Sequence, residues 1–386
     1  MQLPVTSTSK RVDVLDGVRA VAIALVIAHH AGFAKGGGVG VTVFFVLSGF
    51  LITGLLIKPR ALTREGLGRF WLRRLARLFP ALLALCGFCV VWALATQTGH
   101  DRTYLLTQVL TSLTYTQDFY LGHGHATSDF GYLGHTWSLA IEQQFYLLWP
   151  LLLAVVLRLG RSRLHQAALT LAVALVFTAW RAHLASRGLN AHVGLNIDAQ
   201  ADSLLVGCAL ALLLSGEPLH LLRRRERLLD AGSVLFLAAL LIFAETRANL
   251  ATPGRVGYLL VSLGTAVLIT RLLTPATTAF GRTLHRALSW RPVVWVGLIS
   301  YSLYLWHPVV FAIAKRDVGI TSRPAQLMTA PVLLVVILAV SWVSYRYIEQ
   351  PFQRLKNRSA PMPSDDPAAA IEIPTAPMAP AVQPVG

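Results

Sequence analysis

The sequence predicts an all-α, polytopic membrane protein of about ten transmembrane helices with both termini cytoplasmic, and three observations carry that prediction. Of its 386 residues, 55% are hydrophobic and 13% charged, about half the charged share of a soluble globular domain. Apolar stretches approaching 20 residues recur, long enough at about 1.5 Å per residue to cross most or all of a hydrocarbon core roughly 30 Å thick. The basic residues, which leave a formal charge of +16, gather in alternate segments between those stretches, as cytoplasmic loops require. A chain this apolar excludes an ordinary water-soluble fold and disorder over most of its length. It is no outer-membrane barrel either, because barrel strands are short and alternate in polarity.

The first span is read at Val14 to Phe33, after a polar start ending in Lys10 and Arg11. Its clean apolar core, Val21 to Ala28, is short, Arg19 lies within the span, and His29, His30 and glycines follow, so a retained first helix is expected. Further spans are expected at Gly40 to Ile57, Pro80 to Ala95, Thr136 to Leu157, Ala167 to Ala185, Ala199 to Ser215, Leu229 to Ala244, Val256 to Leu272, Val293 to Ala312 and Leu327 to Tyr345. With a cytoplasmic N-terminus, the inside segments hold 24 Lys and Arg and the outside segments nine. The longest outside segment, Thr96 to His135, carries Asp101, Asp118, Asp129 and several histidines and is placed to cap a site. From Ala360 the chain turns Pro/Ala-rich without a helical period, as a disordered tail would. The expected organisation is a cytoplasmic segment 1–13, a membrane domain 14–352 and a tail 353–386.

Ionisable groups within spans cost roughly 2.5 to 3.5 kcal/mol each at a helix centre, so each asks for a reason. Arg19 and His30 are eleven positions apart, which on a helix puts them on one face about 16 Å apart. They form either a polar track, with His30 accepting protons and Arg19 binding an anion or carboxylate, or two side chains snorkelling to opposite interfaces. Arg73, Arg74 and Arg77 precede Pro80 in FWLRRLARLFP. Their forks suit phosphate oxygens bidentately, and they equally suit a lipid-headgroup anchor. Glu142 lies one turn beyond Trp137 and Ser138 and needs a partner, of which Arg19 or a histidine is the obvious kind. Ser300, Tyr301, Ser302, Tyr304, Trp306 and His307 form either a site wall or an interfacial aromatic belt. Asp202 and Glu349 are weaker candidates. Cys86-Gly-Phe-Cys89 lies in an apolar helix without a second pair, and His123-Gly-His125 lacks a third ligand, so no metal site is expected.

Taken together, these blocks resemble the acyltransferase-3 family of integral-membrane enzymes over Leu15 to Phe352. LDGVRAVAIALVIAHH resembles the family's opening Arg-x10-His helix, and VTVFFVLSGFLIT its second helix with Ser48 and Gly49. LRRLARLFP resembles its arginine motif, HTWSLAIEQQFYLLWP its WSLxxEEQFY block, and GLISYSLYLWHP and YRYIEQP its two closing blocks. The resemblance implies catalytic roles for His30, Arg19 and Glu142. It implies donor binding by Arg73, Arg74 and Arg77, and support from Ser48, Trp137, Ser138, Ser300, Tyr304 and His307. Gln143 departs from the usual second acid and Gln200 from a common Arg, so neither can carry a charged role here.

The implied reaction moves a short acyl group from acyl-CoA, acetyl-CoA or propionyl-CoA, to a hydroxyl. His30 is the expected general base, because an alcohol is a poor nucleophile until its proton is being removed. Arg19 is expected at the carbonyl, with Glu142 orienting the imidazole or steadying Arg19. No extracytoplasmic esterase-like domain is expected, which resembles members acylating macrolide antibiotics, and that acceptor is the first expectation. O-acetylation of a cell-envelope glycan or lipid-linked sugar is the alternative. The competing class is a proton-coupled transporter using Arg19, Glu142 and His30 as a relay. No tightly bound cofactor and no nucleic-acid partner is expected.

Overall fold

The computed structural model describes residues 6–34, 36–125, 130–216, 223–245 and 257–358, and among these there are helices and no strand. The tail expected from 353 therefore lies mostly outside the described residues. The chain runs as α1 (Thr6–His30), α2 (Val39–Leu56), α3 (Arg64–Thr96), α4 (Gly99–Leu113), short α5 (Gln117–Tyr120), α6 (Trp137–Leu159), α7 (Arg163–Ser186), α8 (Asn190–Leu195) and α9 (Ile197–Gly216). It continues as α10 (Glu226–Glu245), α11 (Gly257–Leu273), α12 (Ala279–Leu288), α13 (Arg291–Leu298), α14 (Ser300–Arg316), α15 (Arg323–Ser344) and α16 (Gln350–Arg358).

The helix starts follow local chemistry. Thr63, Ser162, Thr278 and Ser322 each precede a helix and accept from the backbone N–H three residues on, satisfying one of the orphan donors of the first turn. Two boundaries differ from expectation. The arginine motif and the span after it form one 33-residue helix, because Pro80 removes a single donor and the apolar run carries the helix past it. Helix α1 begins at Thr6, ahead of the expected Val14, and so includes Lys10, Arg11, Asp13 and Asp16.

Among the described residues, six helices are long and apolar enough to cross a membrane, or seven if α13 and α14, bent by 69° about Ile299, count as one span. The other three expected spans coincide with α1, charged through its first half, with α10, which opens on Glu226, Arg227 and Asp230, and with the 17-residue α11.

Small residues decide how closely the central helices approach. Helix α9 packs between α2 and α7. At the α2–α9 crossing a Cβ on Gly49 would lie 2.0 Å from the Leu204 carbonyl oxygen, and one on Gly207 would lie 2.1 Å from that of Val46. Only glycine fits there, as in close-packed membrane helices generally. A second contact sets α13 against α1, where a Cβ on Gly297 would meet the Asp16 carbonyl oxygen at 1.9 Å. Between α7 and α9, Arg181 and Asp202 form a fully buried ion pair at 2.6 Å, and Thr178 donates to the same carboxylate. Asp202 is thus occupied in joining two helices.

Candidate active site

Helices α1, α2, α3, α6 and α14 line a pocket. Its polar lining is Arg19 from α1, Ser48 from α2, Arg74 and Arg77 from α3, Ser138, Glu142 and Tyr146 from α6, and Ser300, Tyr301 and Tyr304 from α14. Phe44, Phe45, Leu51, Ile52 and Leu139 supply an apolar wall.

Each helix contributes through its period. Ser138, Glu142 and Tyr146 stand four residues apart and so share one face of α6. The Tyr146 hydroxyl donates to Ser48 Oγ at 3.1 Å, and the Ser48 hydroxyl donates to Glu142. Two bonds to main-chain carbonyls fix the rotation of α3. Trp71 Nε1 donates to Tyr146 at 3.0 Å, and the Tyr301 hydroxyl donates to Leu78 at 2.7 Å. Arg74 lies on the face so defined, its guanidinium carbon 5.5 Å from the Tyr146 ring centroid and 5.9 Å from that of Phe70. Such stacking holds a guanidinium while leaving its edge free to bind.

Three guanidiniums and one carboxylate line this pocket. The excess positive charge favours a polyanion with oxygens for bidentate forks. Arg73 does not line the pocket. One residue turns the helix by about 100°, so fixing α3 through Trp71, Arg74 and Leu78 turns Arg73 aside. The expectation of three arginines at one locus is corrected to Arg74 and Arg77, joined by Arg19. Glu142 is also placed differently from expectation. Arg19 pairs with Asp16, three residues earlier on its own helix, and the Glu142 carboxylate is held by Ser48.

His30 and Arg19 do not share the pocket. His30 is at the far end of α1, where its Nδ1 is 2.9 Å from the Val26 carbonyl oxygen and 3.2 Å from His307 Nε2. His307 is fully buried, and it, not Glu142, lies within hydrogen-bond distance of the His30 ring. Between these histidines and the pocket lies a run of polar groups. Ser138 Oγ and Tyr304 Oη are 2.6 Å apart, and the Tyr304 hydroxyl donates to the His135 carbonyl at 2.8 Å. The buried His135 ring lies 6.2 Å from that of His307. Trp137 lies outside the pocket, edge-on to Phe45 at 6.3 Å. Glu349 accepts from Ser302, and Cys86 and Cys89 are buried free thiols.

Sequence reasoning missed Tyr146 and His135. The first was accessible from the four-residue spacing with Ser138 and Glu142. His135 had no such signal, because it lies in a 3-10 turn (Gly134–Thr136) whose position against α14 is purely tertiary.

The acyltransferase domain family matches residues 12–346. The peptidoglycan O-acetyltransferase OatA of Listeria monocytogenes is 31% identical over 357 residues, covering 89% of this chain and 56% of that protein. A Bacillus subtilis protein, YrhL, provisionally described as a peptidoglycan O-acetyltransferase, is 33% identical over 371 residues, covering 89% of this chain and 55% of its own. A Staphylococcus aureus protein provisionally described as an O-acetyltransferase is 30% identical over 361 residues, covering 88% and 57%. The chain thus spans little more than half the length of these relatives. No solved structure matches it.

Proposed function

As the chain belongs to this family of multi-pass membrane acyltransferases, we propose that it moves an acetyl group from acetyl-CoA to a hydroxyl of a cell-envelope glycan. The observation that carries the reading is the pocket in which Arg19, Arg74 and Arg77 face Ser48 and Glu142. Acyl-CoA is a polyanion with a reactive thioester, and these arginines match its phosphates. The relatives described as peptidoglycan O-acetyltransferases favour a glycan acceptor, and no observation favours a macrolide. Family membership likewise favours group transfer over proton-coupled transport.

In this reading the chain crosses the membrane ten times, with α1, α10 and α11 as spans beside the seven apolar ones and both ends cytoplasmic. The split of 24 basic residues to nine supports it. The pocket then opens towards the cytoplasm, where the donor is made. The acyl-bearing arm extends past Ser138 and Tyr304 to His30, at the end where an envelope glycan arrives. His30 Nε2 takes the acceptor hydroxyl's proton as that oxygen bonds to the thioester carbonyl carbon. The C–S bond breaks, and the proton passes to the departing sulfur, giving the ester and free CoA.

The test is release of free thiol from acetyl-CoA by purified protein in detergent, with and without soluble peptidoglycan fragments. Release should require the fragments and fall ~10² to 10⁴-fold in His30→Ala. Release without any hydroxyl acceptor, or undiminished in His30→Ala, would contradict the proposal.

A further inference from the structure

The contacts of His307 fix which of its nitrogens is bare. Its Nδ1 lies 2.7 Å from the carbonyl oxygen of Leu303, one turn earlier on α14. A carbonyl can only accept, so Nδ1 carries the hydrogen. In the neutral ring Nε2 is then a lone pair. That lone pair is 3.2 Å from His30 Nδ1, which is itself 2.9 Å from the Val26 carbonyl oxygen. Two acceptors on different helices therefore converge on one nitrogen of His30. Both require a hydrogen on Nδ1, and Nε2 of His30 is left as the basic atom.

We infer that His307 is the positioning residue of the catalytic base, holding His30 as the Nδ1–H tautomer with Nε2 presented to the acceptor hydroxyl. This rests on the reading of His30 as base given above. His307 performs in this site the task a carboxylate performs in a Ser-His-Asp triad: it sets tautomer and ring orientation, and it accepts from the imidazolium once His30 has taken a proton. A histidine suits a position with no exposure, because its acceptor is uncharged. Pro308 follows directly within α14. It lacks the N–H that would bond the Tyr304 carbonyl, which loosens the helix at the turn that carries the ring.

The test uses full-length protein in detergent or liposomes, with His307→Leu, His307→Gln and His30→Ala. Nitrogen NMR of 15N-histidine-labelled protein, with the His30 signals assigned by their loss in His30→Ala, reads the tautomer without reference to activity. The expected result is a proton on Nδ1 of His30 in wild type and a mixture of tautomers in His307→Leu. Turnover of His307→Leu should fall at least tenfold with the KM of acetyl-CoA within about twofold. That is less than the ~10⁴-fold loss from disabling a triad carboxylate, because the Val26 carbonyl still holds part of the geometry. His307→Gln, whose amide oxygen can accept, should recover most of the rate. A wild-type His30 protonated on Nε2 overturns the inference even if no variant folds. So does His307→Leu turning over at the wild-type rate while His30→Ala is inactive. An active His30→Ala instead removes the base reading itself, and the NMR arm still decides the tautomer.

Discussion

Asp118 has no exposed surface, and one of its carboxylate oxygens has no partner among the described residues; the other accepts from Gln144 Nε2 at 3.0 Å. Burial pushes its carboxyl up to about 6, against about 3.9 for a free aspartate. The folded state therefore holds the proton where the unfolded chain has released it. The stability this contributes is complete below about pH 4 and is lost as pH rises through 6. Asp118→Asn keeps the acceptor for Gln144 and does not titrate. Its thermal midpoint should match wild type near pH 4 and exceed it by a growing margin up to about pH 6, then level off; a constant margin across that range would contradict the assignment. The acid was visible in the sequence as part of the capping segment, but its burial was not. Burial of Asp118 depends on Gln144 arriving from α6, and nothing in the local pattern encodes that. Glu142 behaves in the opposite way, since its face is written in the spacing Ser138, Glu142, Tyr146.

At the scale of elements, the apolar runs located most helices closely, because a span has no alternative to satisfying its backbone internally. What they could not give was rotation and closeness of approach. The wheel places Arg73 as near to Arg77 as Arg74 is, and only the cross-helix bonds of Trp71 and Tyr301 choose between them. The approach of α2 to α9 depends on Gly49 and Gly207, and it sets where Ser48 stands relative to Glu142. Gly207→Val should separate these helices, lowering the thermal midpoint and abolishing transfer together. Gly87→Ala is the control: a Cβ there meets nothing within 4 Å, and a helix interior gains about 0.5 to 1 kcal/mol from that change. Equal stability of the two variants would refute the close-packing account.

Over the whole molecule, an arginine-lined pocket and a histidine cluster are linked by Ser138 and Tyr304. One long helix, α1, contributes to both: Arg19 to the pocket and His30 to the cluster, eleven residues and about 16 Å apart. The sequence motif therefore spans two separate groups of polar residues, the pocket at Arg19 and the histidines at His30. The two members of the pair meet different partners, Asp16 for Arg19 and His307 for His30. The central claim is that the three-guanidinium pocket receives the donor's phosphates. The KM for acetyl-CoA in Arg73→Gln, Arg74→Gln and Arg77→Gln tests it most directly, because Arg73 adjoins the pocket without lining it. The account predicts at least a tenfold rise for Arg74→Gln and Arg77→Gln and less than a twofold change for Arg73→Gln; equal effects at all three positions, or none, would contradict it.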